Sequence, residues 1–399
     1  MKQLRALAVA TRVIPRVLAI ATHVIPRVLA IAVLHLFFAG TLHAQLDNVP
    51  PNNDTAILLQ SKALNQPRSI WVHVPPTYAT TDQSYPVLYL LDGDSHFKYT
   101  SELVDFLSSY DVNRIPELIV VGIVNIDRGK DMGLANPPST TEGARKFLEY
   151  IREELIPYMD GHYRTAPYRI LMGHSLAGQF ALYARDNYPA LFNANILVSP
   201  AIQDFNDPLI TRLGAWLQDQ HPAGKMFISL GGENPRKVDL LVQQLRQHAG
   251  PSFQWDYRQY PADNHFSVPY VTMFDALKFI YKDWFLDFRD TARYSYRDIE
   301  ARFDRLSKEF GYSIHPDEDF INSCGYTQLG LHNIDGAIDF FQHNVKDHPN
   351  SYNVYDSMGE AYMDKGEKEL AIRNYERSIQ LNPNNENGKQ MLKKLQGGQ

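Results

Sequence analysis

The chain has 399 residues, a formal net charge of −6, an ordinary globular composition and one cysteine, Cys324. The weak negative balance supplies no basic field for nucleic acid, and a single cysteine excludes an intrachain disulfide and any cysteine-based metal cluster. The length suits two domains or one large domain with an appendage, and 23 Tyr with 20 Phe provide aromatic surface for a core and a lined cleft.

Residues 1–44 read as a signal peptide rather than part of the fold. Lys2 and Arg5 open a positive stretch, an apolar run over residues 28–39 follows Arg27, and Leu42-His43-Ala44 precedes Gln45 as a cleavage site. The segment duplicates itself: residues 11–21 (TRVIPRVLAIA) and 22–32 (THVIPRVLAIA) differ only at Arg12 and His23. Pro15 and Pro26 interrupt any long spanning helix, so an uncleaved membrane anchor is the lesser alternative. The expected mature chain is periplasmic or secreted.

From residue 69 onward strands and helices alternate in the α/β manner. Residues 69–75 (SIWVHVP) alternate like a half-buried strand, while 85–91 (YPVLYLL) and 118–126 (LIVVGIVNI) are almost continuously apolar, as strands covered on both faces should be. A helical period spans 143–159, and residues 168–173 form the next strand. Further strands are expected at 194–198, 225–230 and 253–260, with helices at 208–218, 237–248 and 271–285. These elements predict one doubly wound, mainly parallel sheet over residues 45–290.

Residues 291–399 read differently. A charged helix over 296–310 precedes an internal repeat in which residues 321–349 align with 355–383 at an offset of 34. The offset superposes Gly325 on Gly359, Ala337 on Ala371, Phe341 on Tyr375 and Pro349 on Pro383. This period resembles tetratricopeptide repeats, helical hairpins that bury their faces on one another. A closing helix is expected around 391–395, with Cys324 as a small core residue. Such a segment could pack on a cleft, pair two subunits or bind a peptide.

The chemistry centres on residues 170–180, ILMGHSLAGQF, where an apolar strand runs through Gly173-His174-Ser175-Leu176-Ala177-Gly178 into a helix. Small residues on either side of a serine allow a turn tight enough to lift its hydroxyl clear of the sheet. Ala177 adds one methyl where glycine is commoner. A serine nucleophile needs a base, and the base an orienting acid. Among the downstream histidines His221, His248 and His265, His265 lies in a loop between the last strand and the last helix, above the carboxyl edge of the sheet. Glu233 sits on the loop ending strand 225–230, with Asp239 as its rival and Asp263 expected to cap its own turn. Two backbone N–H groups, of Leu176 and of Asp94 after the turn Leu91-Asp92-Gly93, are placed to stabilise an oxyanion.

Three motifs then fall into register: YPVLYLLDGDSHF, the stretch FLEYIREELIPYMDGHYRTAPYRILMGHSLAGQFALYA, and DNHFSVP. Together they resemble the esterase D family of α/β-hydrolases, which includes enterochelin-type siderophore esterases, S-formylglutathione hydrolase, feruloyl esterases and mycolyltransferases. The resemblance covers roughly residues 69–285. It implies an α/β-hydrolase fold, Ser175 as nucleophile, His265 as base, Glu233 as acid, and Leu176 and Asp94 as oxyanion donors. Helical repeats appended to such a domain resemble a recurring variant of the group.

The function expected is therefore an exported serine esterase working through an acyl-enzyme on a small-molecule ester, siderophore-type or small acyl, without cofactor or metal. Against a polyanionic ferric catecholate, Arg128, Arg145 and Arg236 are scattered rather than clustered. The alternatives are an adaptor that uses the repeats to hold a protein or peptide partner or to self-associate, and a serine peptidase on the same fold.

Overall fold

The computed structural model describes residues 54–134, 141–202, 208–286 and 291–397; the segment read as a signal peptide lies outside them. One sheet holds eight strands in the order β1-β2-β4-β3-β5-β6-β7-β8. They are β1 Thr55–Ser61, β2 Gln66–His73, β3 Tyr85–Leu90, β4 Ile119–Ile123, β5 Thr165–His174, β6 Ala194–Val198, β7 Gly224–Leu230 and β8 Phe253–Gln259. β2 runs antiparallel to β1 and β4, and the remaining pairs are parallel. This is the doubly wound, mainly parallel sheet of an α/β-hydrolase. The sequence pattern did not announce β1, because its apolar stretch is only four residues long, and as an edge strand it buries only Ser61.

The central strands are apolar on both faces because both faces are covered. In β3, Val87 and Tyr89 enter one core and Leu88 and Leu90 the other; β4 divides Val121 from Val120 in the same way. The helices that accompany the sheet are α1 Gly93–Ser108, α2 Arg128–Met132, α3 Glu142–Tyr150, α4 Ile156–His162, α5 Leu176–Asn187, α6 Pro208–Gln220, α7 Arg236–His248 and α8 Val268–Ile280. Phe147 of α3, Phe180 of α5, Leu213 of α6 and Leu241 of α7 fill one face, and Phe97 of α1 and Leu277 of α8 fill the other.

Two helices depart from expectation for reasons the chain states. The single helix expected over 143–159 contains a π turn at Ile151–Leu155, where Ile156 N donates five residues back to Ile151 O. Pro157 has no N–H to continue the ordinary ladder, and the wider turn absorbs the loss. The helix expected over 271–285 starts earlier, at Val268, because Pro269 sits in the first turn, where a missing N–H costs nothing.

Beyond the sheet lie α9 Tyr296–Phe310 and five further helices: α10 Glu318–Gly330, α11 Ile334–Asp347, α12 Tyr352–Lys365, α13 Lys368–Leu381 and α14 Glu386–Gly397. α10 with α11 and α12 with α13 form the two hairpins of the 34-residue repeat. Gly325 faces the Phe341 ring and Gly359 faces the Tyr375 ring, so the matched small and aromatic positions are one packing contact used twice. Cys324 is fully buried, and burial pushes its thiol up to about 12.

α9 is continuous with the core of the sheet. Phe310 meets Tyr168 edge-on at 4.8 Å and stacks on Tyr281 at 5.0 Å. Lys225, at the start of β7, reaches Glu309 Oε1 at 2.6 Å and also donates to the Ile280 carbonyl. These contacts sit at the amino ends of the parallel strands. The helical segment is thus anchored at the sheet edge opposite the loops that follow β3, β5 and β7.

Candidate active site

β5 ends at His174 and the chain turns through Ser175 into α5. Ser175 adopts φ 58°, ψ −118°, a region that a residue with a Cβ enters at a cost of about 1–3 kcal/mol. Backbone hydrogen bonds hold it there. Ser175 N donates to Val198 O at 2.9 Å, while Ser175 O accepts from Gln179 N at 3.2 Å and Ala201 N at 2.9 Å. A Cβ at Gly173 would lie 2.1 Å from the Ala177 carbonyl oxygen, so the turn closes only over glycine. The Ala177 methyl causes no comparable conflict and is fully buried in the core.

His265 stands on the loop between β8 and α8, and its Nδ1 lies 2.7 Å from Glu233 Oε1 on the loop after β7. The two loops are stitched together by Gly232 N to Asp263 O at 2.6 Å and by Gln259 Nε2 to Glu233 O at 3.0 Å. Asp263 accepts from Ser267 Oγ at 2.8 Å, inside its own turn. Asp239 is exposed in the first turn of α7. His221 follows the end of α6 and His248 ends α7, so neither shares the loop of His265. No hydrogen bond joins Ser175 Oγ to His265 among the described residues; such contacts often tighten only with substrate bound.

Leu176 opens α5 and Asp94 is the second residue of α1, so both amides belong to first turns that have no acceptor within the helix. The turn before Asp94 differs from the simplest reading of Asp92-Gly93. Asp92, not Gly93, takes the left-handed conformation, at φ 53°. Gly93 is required for closeness instead: a Cβ there would lie 2.5 Å from the Gly122 carbonyl carbon of β4.

Several side chains around this site carried no signal in the sequence pattern. Arg128 clasps Asp92 through Nε at 2.7 Å and a terminal nitrogen at 2.9 Å, and donates to the His174 carbonyl at 3.0 Å. Asn125 Nδ2 reaches Asp92 Oδ1 at 2.8 Å and Asp94 Oδ1 at 3.0 Å. His174 Nε2 donates to the His265 carbonyl at 2.8 Å. The His174 ring lies 4.7 Å from that of His265 and 5.5 Å from that of His96, whose Nδ1 pairs with Tyr99 Oη at 2.9 Å. Burial, reinforced by His96 and His265, pushes His174 down to about 4. Burial also lowers His96, against the opposing pull of Asp92.

Residues 61–266, just over half the chain, match the Esterase family model, and residues 352–385 match the tetratricopeptide repeat model. The chain belongs to the Esterase family. This esterase is 27% identical over 219 residues to the ferri-bacillibactin esterase BesA of Bacillus subtilis, covering 48% of this chain and 70% of that protein. It is 28% identical over 198 residues to the uncharacterized protein YbbA of the same organism, covering 47% and 76%. An IroE-like serine hydrolase from Shewanella oneidensis shares the fold at a TM-score of 0.63 and 24% identity, over 73% of this esterase and 99% of that chain. The siderophore hydrolase EstB of Aspergillus nidulans does so at 0.51 and 20%, over 60% and 98%. Carboxylic-ester hydrolysis is the reaction class of this esterase.

Proposed function

We propose that the chain is a serine carboxylesterase with Ser175 as nucleophile, His265 as general base, Glu233 as its orienting acid, and the N–H groups of Leu176 and Asp94 as oxyanion donors. The observation that carries this reading is the 2.7 Å contact of His265 Nδ1 with Glu233 Oε1, which leaves Nε2 to serve a serine held in a strained elbow. Ser175 Oγ attacks the ester carbonyl carbon as His265 Nε2 takes the hydroxyl proton. The carbonyl oxygen gains the negative charge, which the two first-turn amides stabilise. Collapse breaks the ester C–O bond, and the departing alkoxide takes the proton from His265. Water, deprotonated by His265, then attacks the acyl-Ser175 carbon and releases the acid, returning the proton to Ser175.

The substrate class within this reading is a small acyl or siderophore-type ester, supported by the relatedness to a ferri-bacillibactin esterase. The same proposal divides the chain at residue 290, takes residues 1–44 as an export signal, and gives the helical repeats a docking role for a protein partner or a second copy. The repeat match and its attachment away from the Ser175 loops support that docking role.

Fluorophosphonate labelling of the purified mature chain tests the central claim. Stoichiometric labelling that disappears in Ser175→Ala, together with loss of 4-nitrophenyl ester hydrolysis, is the expected result. A folded wild-type chain that neither labels nor turns over any ester would sink it.

A further inference from the structure

The proposed triad accounts for Ser175, His265 and Glu233 but leaves a buried imidazole beside His265. His174 precedes the nucleophile directly, and its ring is packed between His96 of α1 and His265. Its Nε2 lies 2.8 Å from the backbone carbonyl of His265. A carbonyl oxygen only accepts, so Nε2 carries the hydrogen of this bond. The main chain of the same residue is held from the other side, where Arg128 donates to the His174 carbonyl while clasping Asp92, the left-handed residue that sets the start of α1.

We propose that His174 is a positioning residue that registers the His265 loop on the nucleophile elbow through its Nε2–H···O=C bond, with the Arg128–Asp92 pair registering the oxyanion loop on the same elbow. The proposal rests on the Ser175–His265–Glu233 reading. The three groups that must converge come from loops after β3, β5 and β8, about 80 to 90 residues apart in sequence, and Glu233 fixes only the rotation of the His265 ring. A bond to the His265 main chain fixes where that ring begins. A rigid donor suits the task, since a shift of about 1 Å in a reacting group costs roughly 100-fold in rate.

The ionisable groups around the ring agree with a neutral donor. His96 on α1 and the His265 ring on the facing loop both oppose a positive charge on His174, and the bond to the His265 carbonyl and Asp92 favour one more weakly; Arg128 bonds the main chain. Burial is the largest influence, and the net effect holds the imidazole neutral at pH 7. A neutral ring with hydrogen on Nε2 leaves Nδ1 bare, so it cannot compete with His265 for the Glu233 carboxylate.

The test compares His174→Gln, His174→Asn and Ser175→Ala on a short 4-nitrophenyl ester, with melting temperatures recorded for each. The Gln amide reaches the place of Nε2 and the Asn amide only that of Nδ1. The expected result is a kcat about 100-fold lower in the Asn variant with little change in KM, and recovery to within about fivefold of wild type in the Gln variant. An Asn variant with wild-type kcat, or Asn and Gln variants equally impaired at unchanged melting temperature, would overturn the proposal. If Ser175→Ala keeps full activity, the triad reading itself fails and this one with it; an inactive Ser175→Ala beside a fully active Asn variant fails this one alone. Should the Asn variant not fold, ¹⁵N-histidine spectra of the unaltered chain decide: a neutral His174 ring protonated on Nε2 at pH 7 supports the role, and a charged ring or the Nδ1–H tautomer ends it.

Discussion

At the carboxyl edge of the sheet, His174 is buried between two other imidazoles, and burial together with these neighbours pushes it down to about 4. At the opposite edge, His73 at the end of β2 lies between two carboxylates, with Nδ1 2.8 Å from Asp54 and Nε2 3.0 Å from Asp105, and titrates above its ordinary value. The same contrast runs through the other polar groups. The carboxyl edge holds a strained serine, first-turn amides and side chains gathered from distant loops. The amino edge holds Lys225 sealed against Glu309 and the aromatic cluster of Tyr168, Tyr281 and Phe310. One edge keeps polar groups poised for a partner that comes and goes, whereas the other pairs its charged groups within the fold. Changes at the first edge should therefore move rate more than stability, and changes at the second the reverse.

The largest expected effect is at Ser175. Ser175→Ala should lower kcat by at least about ten-thousand-fold while leaving the melting temperature within about 1 °C, a shift of under 1 kcal/mol for a chain of this size. The comparison sharpens with Ser175→Gly, which is as inactive but relieves the positive φ and should stabilise the fold by about 1 kcal/mol after glycine's own entropy cost. Calorimetry on the pair checks this, and a glycine variant less stable than the alanine one would mean that the elbow carries no strain.

At the amino edge the prediction has the opposite signature. Glu309→Ala leaves the Lys225 ammonium, whose side chain is 6% exposed, without its carboxylate, which should cost about 3 kcal/mol of stability. Replacing both partners together, Lys225→Met with Glu309→Leu, should recover most of that loss, because the desolvation cost of both charges is removed. In every one of these variants kcat per folded molecule should match wild type. A rate loss in the doubly substituted chain, folded as judged by circular dichroism, would break the separation of the two edges.

This separation also explains what the sequence made legible. The elbow could be read because its requirements are local: a strand, small neighbours and a helix lie within eleven residues. Strands β3 and β4 were equally plain because both faces are buried. Glu233 could be narrowed to a strand-end loop, but only the folded chain brings it to His265 and leaves Asp239 exposed on α7. His96 and Asn125 escaped notice, and His174 and Arg128 were named without their roles, because those roles come from convergence, Arg128 meeting Asp92 across 36 positions and His174 meeting His265 across 91. The left-handed Asp92 was hidden by the glycine beside it. Nor does the pattern of α9 reveal that Phe310 completes the core under the sheet, since an aromatic residue on an amphipathic helix could face any neighbour.

The smallest effect tests the amino edge by pH. Both ring nitrogens of His73 face carboxylates, and a ring that donates from both must be protonated. Burial alone would lower its pKa, but the bonds to Asp105 and Asp54 outweigh that and raise it. A histidine whose folded pKa lies above its unfolded value stabilises the fold fully below the unfolded pKa and loses that contribution as pH rises through the folded one. The melting temperature should therefore fall as pH is taken upward from about 6 through the histidine range. In His73→Gln, which keeps one donor and does not titrate, that slope should flatten while kcat at pH 7 stays unchanged. An equal slope in the variant would assign the pH dependence to another group, and a fall in kcat would show that the amino edge reaches the nucleophile after all.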